Sequence, residues 1–298
     1  MLEFKELIEF IRSEVNNGLR KIPIPDTPKY LYDPIRYSIR SKGKRFRPIL
    51  AHLSGRANNI DPDALMNISL AVELLHNFTL VHDDIMDNDT IRHGKETIHE
   101  KWDSSTAILA GDGIYTIAQI VLNELPYNLS SVSKYFNSTT LEICEGQALD
   151  KEFEKNNDVT LDNYLDMINK KTAHMIGMSS EIGSLILNLS LDESYHFKKF
   201  GKYIGLAYQI QDDLLEVFAD SKKMNKSLHS DFLLDKKTYP WILSISENKD
   251  EMFEIKSIMH EDIDNGILKY RKFLDKSGIK KQIVYRIEEY INLAKIEL

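Results

Sequence analysis

The chain is 298 residues long, with 42% hydrophobic and 28% charged residues, enough apolar material for a large core and enough charge for a solvated surface. Its formal net charge of −8 argues against non-specific nucleic-acid binding, which needs a basic face, but leaves room for local basic pockets. One cysteine, Cys144, excludes an intramolecular disulfide and a multi-cysteine zinc site, and its residue type predicts a small core side chain.

The N-terminal stretch is charged from Glu3 to Glu6 and carries no secretory apolar region. No run reaches the roughly 18 uninterrupted apolar residues of a membrane span, so the expectation is a cytoplasmic chain. Leu7, Ile8, Ile11, Val15 and Leu19 form one helical stripe, with Glu6, Glu9 and Arg12 off it. Breaks follow at Ile22 to Asp26, Glu124 to Asn128, Lys155 to Asp158 and Asp220 to Asp231. None is long or biased enough to be a linker. Ile68 to Ile85 and Gly201 to Phe218 are apolar on nearly all sides, as central helices are. Gly201 to Gly205 reads as a glycine-bearing turn before the second acidic cluster. Near the end, Ile283, Val284, Ile287, Ile291 and Ala294 form another stripe. With 13 Gly and 8 Pro and little strand-like alternation, these patterns predict a single all-α domain over 1–298.

Both apolar segments end in carboxylates. Asp83 and Asp87 lie one helical turn apart on a shared face, with Asp84 about 100° round. Asp212, Asp213 and Glu216 repeat the spacing after Gln209. Carboxylates packed so closely repel unless a cation compensates them, and a few hard oxygen ligands suit Mg²⁺ that also holds phosphate oxygens. Either cluster alone reads equally well as a solvated acidic helix end. Two of them suggest one cavity for Mg²⁺ and a diphosphate. Cations stand nearby in sequence: Lys44, Arg45 and Arg47 around Gly43; Arg92 and Lys95 around His93-Gly94; Lys170 and Lys171; then Lys226, Lys236 and Lys237. Each alone suits a surface cation. Together they supply bidentate and point-charge grips for phosphate.

In combination these residues resemble the trans-prenyltransferase family, the polyprenyl diphosphate synthases. Gly43 to Pro48 resembles its basic motif, Glu73 to His76 with Leu80 to Asp84 its first aspartate-rich region, and Gly146-Gln147, Lys171-Thr172 and Gln209 to Asp213 its later landmarks. The resemblance implies an all-α fold with a central cavity between helices, a homodimer, and Mg²⁺-dependent condensation of isopentenyl diphosphate with an allylic diphosphate. It implies that Asp83 and Asp87 bind Mg²⁺ with Asp84 supporting, and that Asp212, with Asp213 and Glu216, holds a further Mg²⁺. It assigns Arg92, Lys171, Thr172, Gln209, Lys226 and Lys236 to the allylic diphosphate. It assigns Lys44, Arg45, Arg47, His76 and His93 to isopentenyl diphosphate. Read without the motif, His76 is a core histidine.

Several positions depart from the family pattern. His93 stands where a second Arg is usual, Glu216 where Asp is usual, and Lys42, Asn225, His229 and Asp235 where Gly is common. Phe78 and Thr79, five and four positions before Asp83, are one large and one small residue, a pattern resembling geranylgeranyl diphosphate synthases and implying a C20 product. A farnesyl or longer-chain synthase, a class I terpene cyclase and a non-catalytic subunit of a heteromeric synthase are the competing expectations.

Overall fold

The computed structural model describes residues 3–41, 43–125, 130–186, 191–218, 232 and 234–298, the side chains of 191–193 excepted. In chain order the helices are α1 (Phe4–Lys21), α2 (Lys29–Ile39), α3 (Phe46–Ala57), α4 (Pro62–Met86), α5 (Ile98–Lys101), α6 (Ser104–Asn123), α7 (Ser130–Glu154), α8 (Leu161–Ile168), α9 (His174–Ile186), α10 (Leu191–Phe218), α11 (Tyr239–Glu247), α12 (Lys249–Glu261), α13 (Ile263–Lys276) and α14 (Ile279–Ile296). The all-α expectation holds. Among the described residues the departure from it is a hairpin of two-residue strands, β1 (Ile91–Arg92) and β2 (Lys95–Glu96). Its turn residues, His93 (φ 53°) and Gly94 (φ 74°), are both left-handed, the conformation a tight two-residue hairpin requires.

The chain forms two compact units. The first is drawn from Met1–Thr140 and Met178–Lys198, the second from Leu141–Gly177, Lys199–Met224 and Leu228–Leu298. In the first, α4 is the central helix. It starts at Pro62, whose fixed φ suits a first helical position, and packs on α6 and α3. Ile68, Ala71, Val72, Leu74 and Leu75 are fully enclosed, and truncating such a leucine to alanine costs about 2–5 kcal/mol. The α1 stripe buries Ile11, Val15 and Leu19, as its spacing predicts. Among the described helices α4 and α6 are long and apolar enough to cross a membrane, but 67% of α4's apolar window is buried inside the protein, as in a core helix.

The second unit has its own core, with Tyr164, Ile210, Val217, Tyr239, Tyr270 and Leu274 among its members. Asn248 and Asp262 cap α12 and α13 by accepting from the backbone N–H of Glu251 and Asn265.

Three expectations are corrected. Cys144 is exposed, because α7 turns the neighbouring Ile143, Gly146 and Gln147 inward. Val284 is 41% exposed, about 100° round the helix from the buried Ile283. Gly201 to Gly205 is no turn but an uninterrupted part of α10.

Candidate functional site

Each unit carries one acidic cluster and its own cations. In the first unit, α4 ends in Asp83, Asp84 and Asp87, with the N–H of Asp87 donating to the carbonyl of Asp83 at 2.8 Å. Three carboxylates in the last turn repel one another and face the negative end of the helix dipole, a doubly unfavourable placement that a cation relieves. The three are not equivalent. Asp83 and Asp87 are half-buried, whereas Asp84 is turned inward. Arg92, from the hairpin, donates to Asp84 Oδ1 from Nε at 2.8 Å and to Asp89 Oδ2 from Nη2 at 3.0 Å. Burial pushes the Asp84 carboxyl up to about 7 against the pull of Arg92.

The basic motif lies ahead of α3. Arg12 on α1 steadies it by donating from Nε to the carbonyl of Lys44 at 3.1 Å. Arg45 takes up a left-handed conformation (φ 52°) and its side chain is turned inward. It is 6% exposed, pairs with Glu73 at 2.5 Å, and donates to Asn16 and to the carbonyl of Ser41. Lys44 stays exposed and Arg47 half-buried. Arg47 Nη1 lies 3.1 Å from His76 Nε2. A guanidinium only donates, so Nε2 accepts and His76 is neutral. Burial, then Arg47 and neighbouring cations, hold the His76 imidazole well below its ordinary value. His93 is lowered as well, by burial first and then by Arg92, Arg45 and Lys44. Further back on α4, the Phe78 ring meets His82 edge-on at 4.8 Å and Tyr115 of α6 at 5.2 Å. Thr79 directs its hydroxyl to the carbonyl of His76 at 2.9 Å.

In the second unit, α10 presents Gln209, Asp212, Asp213 and Glu216. Asp212 is half-buried. Asp213 lies on the core face between Ile210 and Val217, where Tyr164 Oη (2.6 Å) and the N–H of Tyr239 (2.9 Å) donate to Oδ2 and Gln209 Nε2 (3.0 Å) to Oδ1. Burial pushes its carboxyl up to about 6. Glu216 is 1% exposed. Of the second cluster, therefore, Asp212 keeps the most surface access. Thr172 donates to Gln209 Oε1 at 2.8 Å, so Thr172, Gln209, Asp213 and Tyr164 form one chain of hydrogen bonds.

Lys171 and Thr172 do not begin an ordinary helix. They sit in a π-helical turn, Asn169–Ala173, inserted between α8 and α9. Two glycines let other helices pack closely against it. A Cβ on Gly146 of α7 would lie 2.3 Å from the Lys171 nitrogen, and one on Gly205 of α10 would lie 2.6 Å from the Ala173 Cα. Lys171 Nζ donates to Asp150 at 2.6 Å, and Lys236 Nζ to the same carboxylate oxygen at 3.1 Å. Lys226 lies outside the described residues, as do Lys42, Asn225 and His229. The sequence pattern singled out none of Asp150, Asp89 and Tyr164, and it gave Glu73 no role of its own. Asp150 could have been found from its place one turn beyond Gly146 on the same helix face.

No three His, Cys, Asp or Glu side chains converge as a ready metal cage among the described residues. Asp83, Asp87 and Asp212 offer hard carboxylate oxygens, which fit Mg²⁺ held by one or two protein ligands and completed by substrate oxygens.

A family model described as polyprenyl synthetase matches residues 28–271 and so runs through both units. A short chain isoprenyl diphosphate synthase of Methanocaldococcus jannaschii is 36% identical over 90% of this chain and 82% of its own. A geranylgeranyl pyrophosphate synthase of Geoglobus acetivorans is 34% identical over 98% of this chain and 92% of its own. Among solved structures, a geranylgeranyl pyrophosphate synthetase from Pyrococcus horikoshii superposes with a TM-score of 0.90 at 31% identity, covering 99% of this chain and 92% of that one.

Proposed function

Because the chain belongs to the polyprenyl synthetase family and is a prenyltransferase of the short-chain isoprenyl diphosphate synthase type, we propose that it condenses isopentenyl diphosphate with allylic diphosphates to give mainly the C20 product. The observation that carries the proposal is that each unit ends an apolar helix in a carboxylate cluster and brings cations from other segments, Arg92 in the first unit and Lys171 and Lys236 in the second. Asp83, Asp87 and Asp212 would hold Mg²⁺, which when bound neutralises the charge of the leaving diphosphate. Asp84 and Asp213 fix the carboxylates and cations around them, Asp84 through Arg92 and Asp213 through Gln209.

Lys171, Lys236 and Arg92 would take the allylic diphosphate, and Lys44, Arg47 and the neutral His76 isopentenyl diphosphate. Arg45, spent on Glu73, shapes that basic turn from within. Loss of the allylic C–O bond gives a cation that the isopentenyl double bond attacks; a proton then leaves to the released diphosphate. No side-chain nucleophile is needed.

The C20 assignment rests on Phe78, backed by Tyr115, as the floor of the chain pocket. Relatives include a geranylfarnesyl diphosphate synthase of Natronomonas pharaonis, 32% identical over 84% of this chain, so membership of the family does not by itself assign the length. The exposed apolar side chains Ile108, Leu109 and Ile120 on α6 (48%, 47% and 54%) support a homodimer. Purified protein given Mg²⁺, isopentenyl diphosphate and each of the C5, C10 and C15 primers should make a C20 diphosphate. Hydrocarbon formed from an allylic diphosphate alone identifies a cyclase, and no turnover with any primer identifies a non-catalytic subunit.

A further inference from the structure

Asp150 is given no part in the condensation above, yet it joins two of the cations the condensation uses. It lies on α7 one turn beyond Gly146, is 6% exposed, and receives Lys171 and Lys236 on one oxygen, Oδ2, at 2.6 and 3.1 Å. The lysines come from different places, Lys171 from the π turn and Lys236 from the stretch ahead of α11. Their own side chains are 22% and 11% exposed. Burial alone would raise the Asp150 carboxyl; the two ammonium groups overcome this and hold it well below the usual carboxylate range. One carboxylate against two ammonium groups leaves these three side chains with a net positive charge.

We propose that Asp150 is a positioning residue for the allylic substrate: it holds Lys171 and Lys236 as one cationic pair aimed at the diphosphate. The inference rests on the proposed function. A lysine is a point charge on a flexible four-carbon stem, and two such stems ordered separately on binding would each lose rotamer freedom. Asp150 orders both beforehand, and preorganisation of this kind appears as affinity. Its own negative charge opposes the diphosphate, but the ammonium groups stand on its carboxylate oxygen and screen it. Removing the carboxylate therefore weakens binding and does not tighten it.

Steady-state kinetics of Asp150→Asn test this. The KM for the allylic primer should rise by about 10-fold while that for isopentenyl diphosphate stays within about 2-fold. In a Lys171→Met, Lys236→Met background, Asp150→Asn should change the allylic KM by less than about 2-fold, because its effect passes through the lysines. An unchanged or lower allylic KM, an equal rise in both KM values, or a full effect in the lysine-free background overturns the proposal. Should Asp150→Asn not fold by circular dichroism, Lys171→Met, Lys236→Met and their double variant give the same answer. A pair held as one unit loses less in the double than the product of the singles, whereas losses that multiply to within about 2-fold sink it. Wild-type protein inactive with every primer defeats the proposed function; an active wild type with an indifferent Asp150→Asn defeats only the positioning role.

Discussion

Asp84 and Asp213 occupy equivalent places in their two clusters. Each is the second carboxylate of an aspartate pair, each is buried, and each accepts a short hydrogen bond, Asp84 from Arg92 at 2.8 Å and Asp213 from Tyr164 at 2.6 Å. Their neighbours Asp83 and Asp212 keep access to the surface of their units. The pattern divides labour within each pair. Asp83→Ala and Asp212→Ala should each lower kcat by about 100-fold or more at saturating Mg²⁺, with urea unfolding unchanged. Asp213→Ala should instead cost about 1–3 kcal/mol of stability, since Tyr164 and the Tyr239 N–H lose their acceptor. A stability loss shared equally by Asp212→Ala and Asp213→Ala would contradict this division.

His93 heads a hairpin turn among Arg92, Arg45 and Lys44, and burial and those cations lower its imidazole below the ordinary value near 6.5. It is therefore neutral at neutral pH. His93→Arg should lower the KM for isopentenyl diphosphate several-fold, leave the allylic KM unchanged, and remove any gain in affinity seen on acidification below about 6.5. An unaltered isopentenyl KM in the arginine variant would place this turn outside the site.

Phe78 sits five residues before Asp83, about 7.5 Å along the helix axis, with Tyr115 behind it. Phe78→Ser should shift the product from C20 to C25 or longer, read by chromatography of the dephosphorylated products. Because Tyr115 still closes the space, Phe78→Ser with Tyr115→Ala should lengthen the product further. An active Phe78→Ser enzyme with the wild-type product would remove the basis of the length assignment.

His76 also sets a pH dependence of stability. Its folded-state value lies well below the unfolded value near 6.5, so on acidification the unfolded chain takes up the proton first. The contribution of His76 is complete above about pH 6.5 and is lost as pH falls below it, at up to about 1.4 kcal/mol per pH unit. Glu73, Asp84 and Asp213, all raised by burial, act in the opposite sense. The wild type must therefore be compared with His76→Gln. The stability difference between them should shrink between pH 7 and 5 in urea unfolding, and a difference independent of pH would show that His76 titrates normally.

The site was legible in the sequence where a local pattern sufficed. An all-round apolar run marks α4 as central, and carboxylates at i, i+1 and i+4 stand out on any helix. What stayed hidden was set by tertiary contacts. Arg45 reads like Lys44 and Arg47 until a left-handed backbone turns it toward Glu73, far away in sequence. The inward turn of Asp84 depends on Arg92 arriving from the hairpin. Asn169 to Ala173 have nothing unhelical in their composition, and the room for the π turn is made by Gly146 and Gly205, each on another helix. Cys144 and Val284 failed because residue type and one-residue helical phase were asked to decide a boundary that neighbouring helices draw.

The π turn acts as a phase shifter. An α-helix advances about 100° per residue, so the extra residue lets α8 and α9 share one course while their faces are rotated relative to each other. Tyr164 can thus face Asp213 on one side of the turn while Lys171 meets Asp150 within it. Loss of a single residue from Asn169–Ala173 would restore ordinary pitch and swing everything downstream by that angle, parting Thr172 from Gln209 at once. The stretch should accordingly tolerate exchanges of side chain far better than a change in its length.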